Sequence, residues 1–138
     1  MLNRGEEDYL KIIYELSEAT FGYVKTKDLV VRLNHTLPSV NEMLKKLVAL
    51  ELILYQPYVG VRLSDEGYMQ AENLIKKHRL WELFLTESLG LNEDEVHQEA
   101  ERLEHATSDR VLEALNQFLG SPKVCPHGRP IPQQISEK

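Results

Sequence analysis

The chain has a single cysteine, Cys125, which excludes an intrachain disulfide and leaves stability to packing, a bound metal or a partner subunit. No apolar run reaches the roughly 18 to 20 residues that a membrane span needs. The opening residues MLNRGEEDYL lack the basic and apolar regions of a secretory leader, so a cytoplasmic location is the expectation. Nucleophile–base patterns, a Walker loop, a dinucleotide fingerprint and HExxH are all missing, and catalysis has little support. An excess of positive charge is also missing, since the net charge is −6. That deficit is local. Residues 1–63 carry 8 basic and 8 acidic side chains, against 8 and 14 in residues 64–138. Within residues 25–46 there are 5 basic (Lys25, Lys27, Arg32, Lys45, Lys46) and 2 acidic (Asp28, Glu42), a surplus of three that permits contact with nucleic acid.

What is present is helical periodicity. Tyr9, Ile12, Ile13 and Leu16 recur at helical spacing and predict an amphipathic helix over 6–18 that ends before Gly22. After a turn at Phe21–Gly22–Tyr23, Thr26 is the expected cap of a short helix that faces Leu29, Val30 and Leu33 inward. Asn34 and His35 break it, and Pro38 suits the first turn of the next helix, which runs to about Leu50 and buries Val40, Met43, Leu44 and Leu47. Two apolar, strand-like runs, 52–55 and 59–63, flank a turn at Gln56–Pro57–Tyr58 and predict a hairpin. Three helices and a hairpin in some 60 residues read as a winged helix-turn-helix.

The second half reads as helical throughout. A long helix from Ser64 to about Ser88 carries Leu74, Ile75, Leu80, Trp81, Phe84 and Leu85, an apolar face broad enough for more than one neighbour. Gly90 stops it. Asn92 and Glu95 form a capping box for a helix to about Ala106, and a third helix from Ser108 ends at Gly120, before the Pro- and Gly-rich loop SPKVCPHGRPIPQQ. The predicted fold is therefore mainly α: a winged helix-turn-helix domain over 1–63, followed by an all-helical domain over 64–138.

His97, Glu101, Glu104 and His105 fall at spacings of four, three and one, so that all four project from one side of a helix. His78 and Glu82 stand four apart on the preceding helix, and Asp8 lies at the edge of the first. Oxygen-rich sets with one or two imidazoles suit Mn(II), Fe(II) or, less specifically, Zn(II). The competing reading is a charged, solvated helix face. Acids on one face without interleaved bases repel one another, however, and a cation offsets that. Cys125–Pro–His127–Gly is read as a structural loop with a free thiol, because one cysteine and one histidine do not complete a zinc site. His35 is read as a turn or phosphate-side residue.

Five stretches together resemble the diphtheria toxin repressor family of metalloregulators: EDYLKIIYEL from Glu7, PSVNEMLKKL from Pro38, KHRLWE from Lys77, VHQEAERLEH from Val96 and CPHGRPIP from Cys125. The resemblance spans nearly the whole chain, and its manganese-responsive branch is the better match. It implies a principal metal site of Asp8, Glu101, Glu104 and His105, and an ancillary site of His78, Glu82 and His97. Iron-sensing members carry Met and Cys where this chain has Asp8 and Glu101. Some manganese regulators carry a glutamate at the position of Lys11 to hold a closely spaced second ion, so two separated sites are expected here. Larger members add a small β-barrel domain, which the expected short branch lacks.

The resemblance further implies a metal-dependent repressor of metal-uptake genes that binds a palindromic operator in double-stranded DNA as a homodimer. The apolar faces of helices 64–88 and 108–120 are its expected two-fold interface. Ser39, Asn41 and Glu42 are expected at base edges, and Thr26, Lys27, Lys45 and Lys46 at phosphates. Asp8 belongs to one half and Glu101, Glu104 and His105 to the other, so one ion bound by all four would fasten the halves. Three alternatives stay open: an Fe(II)- or Zn(II)-responsive regulator, a carboxylate-bridged metalloenzyme, and a repressor of the same architecture that answers to an organic ligand.

Overall fold

A computed structural model describes residues 2–20 and 22–133. Phe21, placed by the sequence reading in the first turn, lies outside the described residues, as do positions 134–138. The chain forms two compact units, residues 1–72 and 73–138.

The N-terminal unit begins with α1, Arg4–Thr20, which buries Tyr9, Leu10, Ile13 and Tyr14. Asn3 and Glu6 open it as a reciprocal box: the Glu6 N–H donates to Asn3 Oδ1 at 2.8 Å and the Asn3 N–H to Glu6 Oε1 at 2.9 Å. Helix α2 is Thr26–Leu33 and buries Leu29. Thr26 does not cap it. Lys25 holds the N-cap position without a side-chain bond, and Thr26 is the first helical residue. Asn34 ends α2 in the left-handed region at φ 56°, a conformation that asparagine tolerates better than most residues. Helix α3, Leu37–Ala49, is capped by Thr36, whose hydroxyl accepts from the Ser39 N–H, and Pro38 sits in its first turn. Val40, Leu44 and Leu47 are buried as their spacing predicts, while Met43 is half-buried.

The hairpin pairs β1, Ile53–Gln56, with β2, Gly60–Leu63, antiparallel, Ile53 opposite Leu63 and Gln56 opposite Gly60. Val24 joins its edge through two backbone bonds with Val61, at 2.7 and 2.9 Å. Gly60 makes that approach feasible. Its φ is +137°, and a Cβ there would lie 2.3 Å from the Val24 carbonyl oxygen. Ser64 Oγ then accepts from the Gly67 N–H at 3.0 Å, which starts α4, Asp65–Leu83.

In the C-terminal unit the end of α4 passes into a π-helical turn, Phe84–Ser88, where the Leu89 N–H reaches the Phe84 carbonyl at 3.2 Å. The sequence reading has ordinary helix there. Helix α5 is Glu93–Glu104 and α6 is Asp109–Phe118, the latter capped by Ser108. The broad apolar face that runs from α4 into the π-helical turn is divided between two neighbours: Leu80 and Leu83 of α4 pack with Leu112, Leu115, Cys125 and Ile131, while Leu85 of the turn packs with Val96 and Ala100. Trp81 and Phe84 touch both clusters, and the Trp81 indole donates to Thr107 Oγ1 at 2.8 Å. The closing loop folds back on itself through Cys125 N–H to Arg129 O and Ile131 N–H to Lys123 O, and the Arg79 guanidinium donates to the Pro130 carbonyl.

Candidate metal centre

Among the described residues, three groups of donors form in the C-terminal unit, built on α4, α5 and the closing loop. The first comes from the end of α5. Asn92 and Glu95 fix the start of that helix, with Glu95 N–H to Asn92 Oδ1 at 2.9 Å and Asn92 N–H to Glu95 Oε1 at 3.2 Å. Its last turn then brings together Glu101, Glu104 and the C-cap residue His105, each with a donor atom within 4.8 Å of the others. Glu104 is wholly buried, and Oε2 is 3.3 Å from His105 Nε2. A buried carboxylate needs a compensating cation or strong donors, so a divalent ion fits this all-oxygen-and-imidazole set.

The second group is His78, Glu82 and His97, donor atoms again within 4.8 Å. The i, i+4 spacing on α4 sets His78 Nε2 at 3.1 Å from Glu82 Oε2, and the rings of His78 and His97 meet edge to face at 5.7 Å. Thus the four α5-region residues that the sequence places on one side divide between two donor sets, His97 with His78 and Glu82 of α4, and Glu101, Glu104 and His105 in the other.

Cys125 and His127 form the third group with Glu82, which departs from their reading as a structural loop. His127 Nδ1 lies 3.8 Å from the same Glu82 Oε2 that faces His78, and the Cys125 sulfur is buried. The missing third donor was on another helix, 43 positions upstream of the cysteine, and no local spacing points to it. Burial pushes the Glu82 carboxyl up, but the hydrogen bond from His78 and the charges of His78, His127 and His97 prevail and hold it below the ordinary glutamate value. Glu82 is therefore an anion between imidazoles.

Asp8 lies on α1, in the N-terminal unit. There, Ser39, Asn41, Glu42 and Lys45 are exposed on α3 and Lys27 on α2, while Thr26 is half-buried. Lys46 is engaged: its Nζ is 2.9 Å from Glu6 Oε2, and that bond, with the Asn3 N–H, holds the Glu6 carboxyl below its ordinary value.

Residues 1–61 match the model described as iron dependent repressor, N-terminal DNA binding domain, and residues 64–133 match iron dependent repressor, metal binding and dimerisation domain. The chain belongs to the iron-dependent repressor family. Within that family it is 38% identical over 118 residues to an HTH-type transcriptional regulator of Methanocaldococcus jannaschii, covering 86% of this chain and 94% of that one. It is 34% identical over 126 residues to the diphtheria toxin repressor of Corynebacterium jeikeium, covering 91% of this chain but 52% of the relative. Among solved structures, the manganese regulator SloR superposes with a TM-score of 0.81 at 47% identity, over 93% of this chain and 59% of SloR. ScaR with bound Zn(II) gives 0.80 at 43%, over 93% and 59%. The chain thus spans about half to three-fifths of the longer repressors it matches and nearly all of the archaeal one. These iron-dependent repressors are regulators of transcription, not enzymes, which sets the metalloenzyme alternative aside.

Proposed function

We propose that this iron-dependent repressor family member senses Mn(II), and that Asp8 of the N-terminal unit joins Glu101, Glu104 and His105 in its regulatory site. The observation that carries the reading is the donor set at the end of α5, two carboxylates and one imidazole with no sulfur. Hard oxygen donors favour Mn(II), whereas thiolate or thioether would favour softer ions. A bound divalent cation supplies positive charge that offsets carboxylates which otherwise repel one another.

Asp8, as the one proposed ligand on α1, makes the orientation of the winged helix conditional on that charge. Glu101, Glu104 and His105 hold their positions through α5, whose start is fixed by its capping box. With the units fastened, a homodimer presents its two α3 helices at successive major grooves, roughly 34 Å apart, to a palindromic operator of metal-uptake genes. Residues 1–63 serve as the DNA-binding domain and 64–138 as the metal-binding and dimerisation domain. Ser39, Asn41 and Glu42 read base edges; Thr26, Lys27 and Lys45 position phosphates, with Lys46 able to do so only by leaving Glu6.

The ancillary donors offer two sets that share Glu82. His78, Glu82 and His97 suit Mn(II) or Fe(II), and Glu82, Cys125 and His127 suit Zn(II) or another thiophilic ion.

A duplex selected from a random-sequence library with Mn(II) present provides the test. Wild type should bind it far more tightly with Mn(II) than with chelator, and Asp8→Ala and Glu101→Ala should each lose most of that gain. Retention of the full gain by both variants would remove the proposed switch, and an equal gain with Fe(II) or Zn(II) at matched free concentration would remove the manganese preference.

A further inference from the structure

We infer that the hydrogen bond from Tyr9 to His35 is a positioning link that carries the state of α1 to the N-terminus of α3. The inference rests on the reading of Asp8 as a metal ligand. Tyr9 follows Asp8 on α1, and its ring is buried at 3% exposure in the N-terminal core. Its hydroxyl meets His35 Nδ1 at 3.0 Å, with the two rings 5.8 Å apart and inclined by 43°. With the hydroxyl donating, Nδ1 accepts and the ring proton sits on Nε2.

His35 occupies the middle of a three-residue turn whose neighbours are both constrained. Asn34 closes α2 in the left-handed region, and Thr36 caps α3 by accepting from the Ser39 N–H at 3.3 Å while its hydroxyl donates to Ser39 Oγ at 3.0 Å. The residue that Tyr9 grips is therefore one position from the cap of the helix that presents Ser39, Asn41 and Glu42.

Two further bonds tie α1 to the helix-turn-helix. Glu15 Oε1 lies 2.6 Å from the Arg32 guanidinium on α2, and Glu6 Oε2 lies 2.9 Å from Lys46 Nζ near the end of α3. Both depend on long cationic side chains that are about half exposed, a kind of contact that yields easily. Tyr9 and His35 have two side-chain torsions each, and one ring is locked in the core, so a small displacement of α1 at position 8 is passed on at the turn rather than absorbed.

The test uses the full chain and the Mn(II)-selected duplex. Tyr9→Phe and His35→Leu remove donor and acceptor in turn, and His35→Asn restores an acceptor where Nδ1 stood. The Mn(II)-dependent gain in duplex affinity should fall about 5- to 10-fold in Tyr9→Phe and in His35→Leu, no further in the double variant, and by less than about 2-fold in His35→Asn. Mn(II) affinity without DNA and duplex affinity without metal should stay at wild-type values in all of them. Additive losses, failure of His35→Asn to recover, or an equal loss without metal would overturn the link, the last marking His35 as a plain DNA contact. A wild type with no Mn(II)-dependent gain, or an Asp8→Ala variant that keeps it, would overturn the underlying reading and the inference with it. Melting curves of each variant separate these outcomes from misfolding.

Discussion

Nδ1 of His78 lies 2.5 Å from Oε1 of Glu104, and both side chains are buried. One imidazole thus joins the two groups: Nδ1 faces the carboxylate of the α5 set, and Nε2 faces Glu82 of its own. Replacing His78 with Leu removes the partner of two buried carboxylates at once. Metal-free protein should lose about 3 kcal/mol of stability in urea unfolding, and Glu104→Gln in the same background should recover part of it. An unchanged midpoint for His78→Leu would show that other partners of Glu104 suffice.

The sulfur of Cys125 should be a metal ligand for thiophilic ions. Titration of wild type with Cd(II) or Co(II) should produce an ultraviolet thiolate-to-metal charge-transfer band, absent in Cys125→Ser and weakened in His127→Ala. His97→Ala should retain the band, because His97 belongs only to the other set. A band of wild-type strength in Cys125→Ser would exclude the thiolate.

Gly67 allows no side chain. A Cβ there would lie 1.9 Å from the Leu52 carbonyl oxygen, which is backbone and cannot swing aside. Gly67→Ala should therefore cost about 3 kcal/mol or more in the N-terminal unit, at the upper end of overpacking penalties. Gly90→Ala, with open space around its Cβ and φ +69°, carries only the cost of its backbone conformation, of order 1 kcal/mol. Parallel urea titrations of the two variants measure the contrast.

Tyr14 gives the N-terminal unit an alkaline limit. Burial, the hydrogen bond with Tyr68 and the charges of Glu18 and Glu72 all push its phenol above the ordinary tyrosine value. A group whose folded pKa is raised contributes stability that is complete below the unfolded pKa and is lost as pH rises through the folded one. Stability should fall as pH climbs past about 10. The difference between wild type and Tyr14→Phe, followed by urea unfolding from pH 8 to 11, should shrink along that rise; a pH-independent difference would exclude the mechanism.

The winged-helix elements were legible because each has a local cause. Tyr9 and Ile13 recur with helical period, Pro38 fits only a first turn, and an aromatic turn divides two apolar runs. The capping box of Asn92 and Glu95 was legible for the same reason. The cap of α2 was not: Thr26 has the right side chain, yet the helix starts one residue earlier with respect to it, and Lys25 fills the position on backbone geometry alone. The π-helical turn at Phe84–Ser88 was hidden too: no residue in it is a helix breaker, and Trp81 and Phe84, which pack against two clusters beside it, read as ordinary members of an apolar helical face. At the site, spacing along one helix found Glu101, Glu104 and His105, but it also grouped His97 with them. Contact between elements distant in sequence, which spacing does not encode, turns His97 to His78 and brings Cys125 and His127 of the closing loop to Glu82.

That shared glutamate has a genetic consequence. Because a single oxygen of Glu82 faces both His78 and His127, replacing Glu82 should disable both proposed donor sets together and mask whatever is altered in either. Position 82 should then be epistatic to positions 97 and 125, and a double variant that includes it should report nothing about its partner. The separate contributions of the two sets are visible only in a cross of His97 and Cys125 variants with Glu82 left in place.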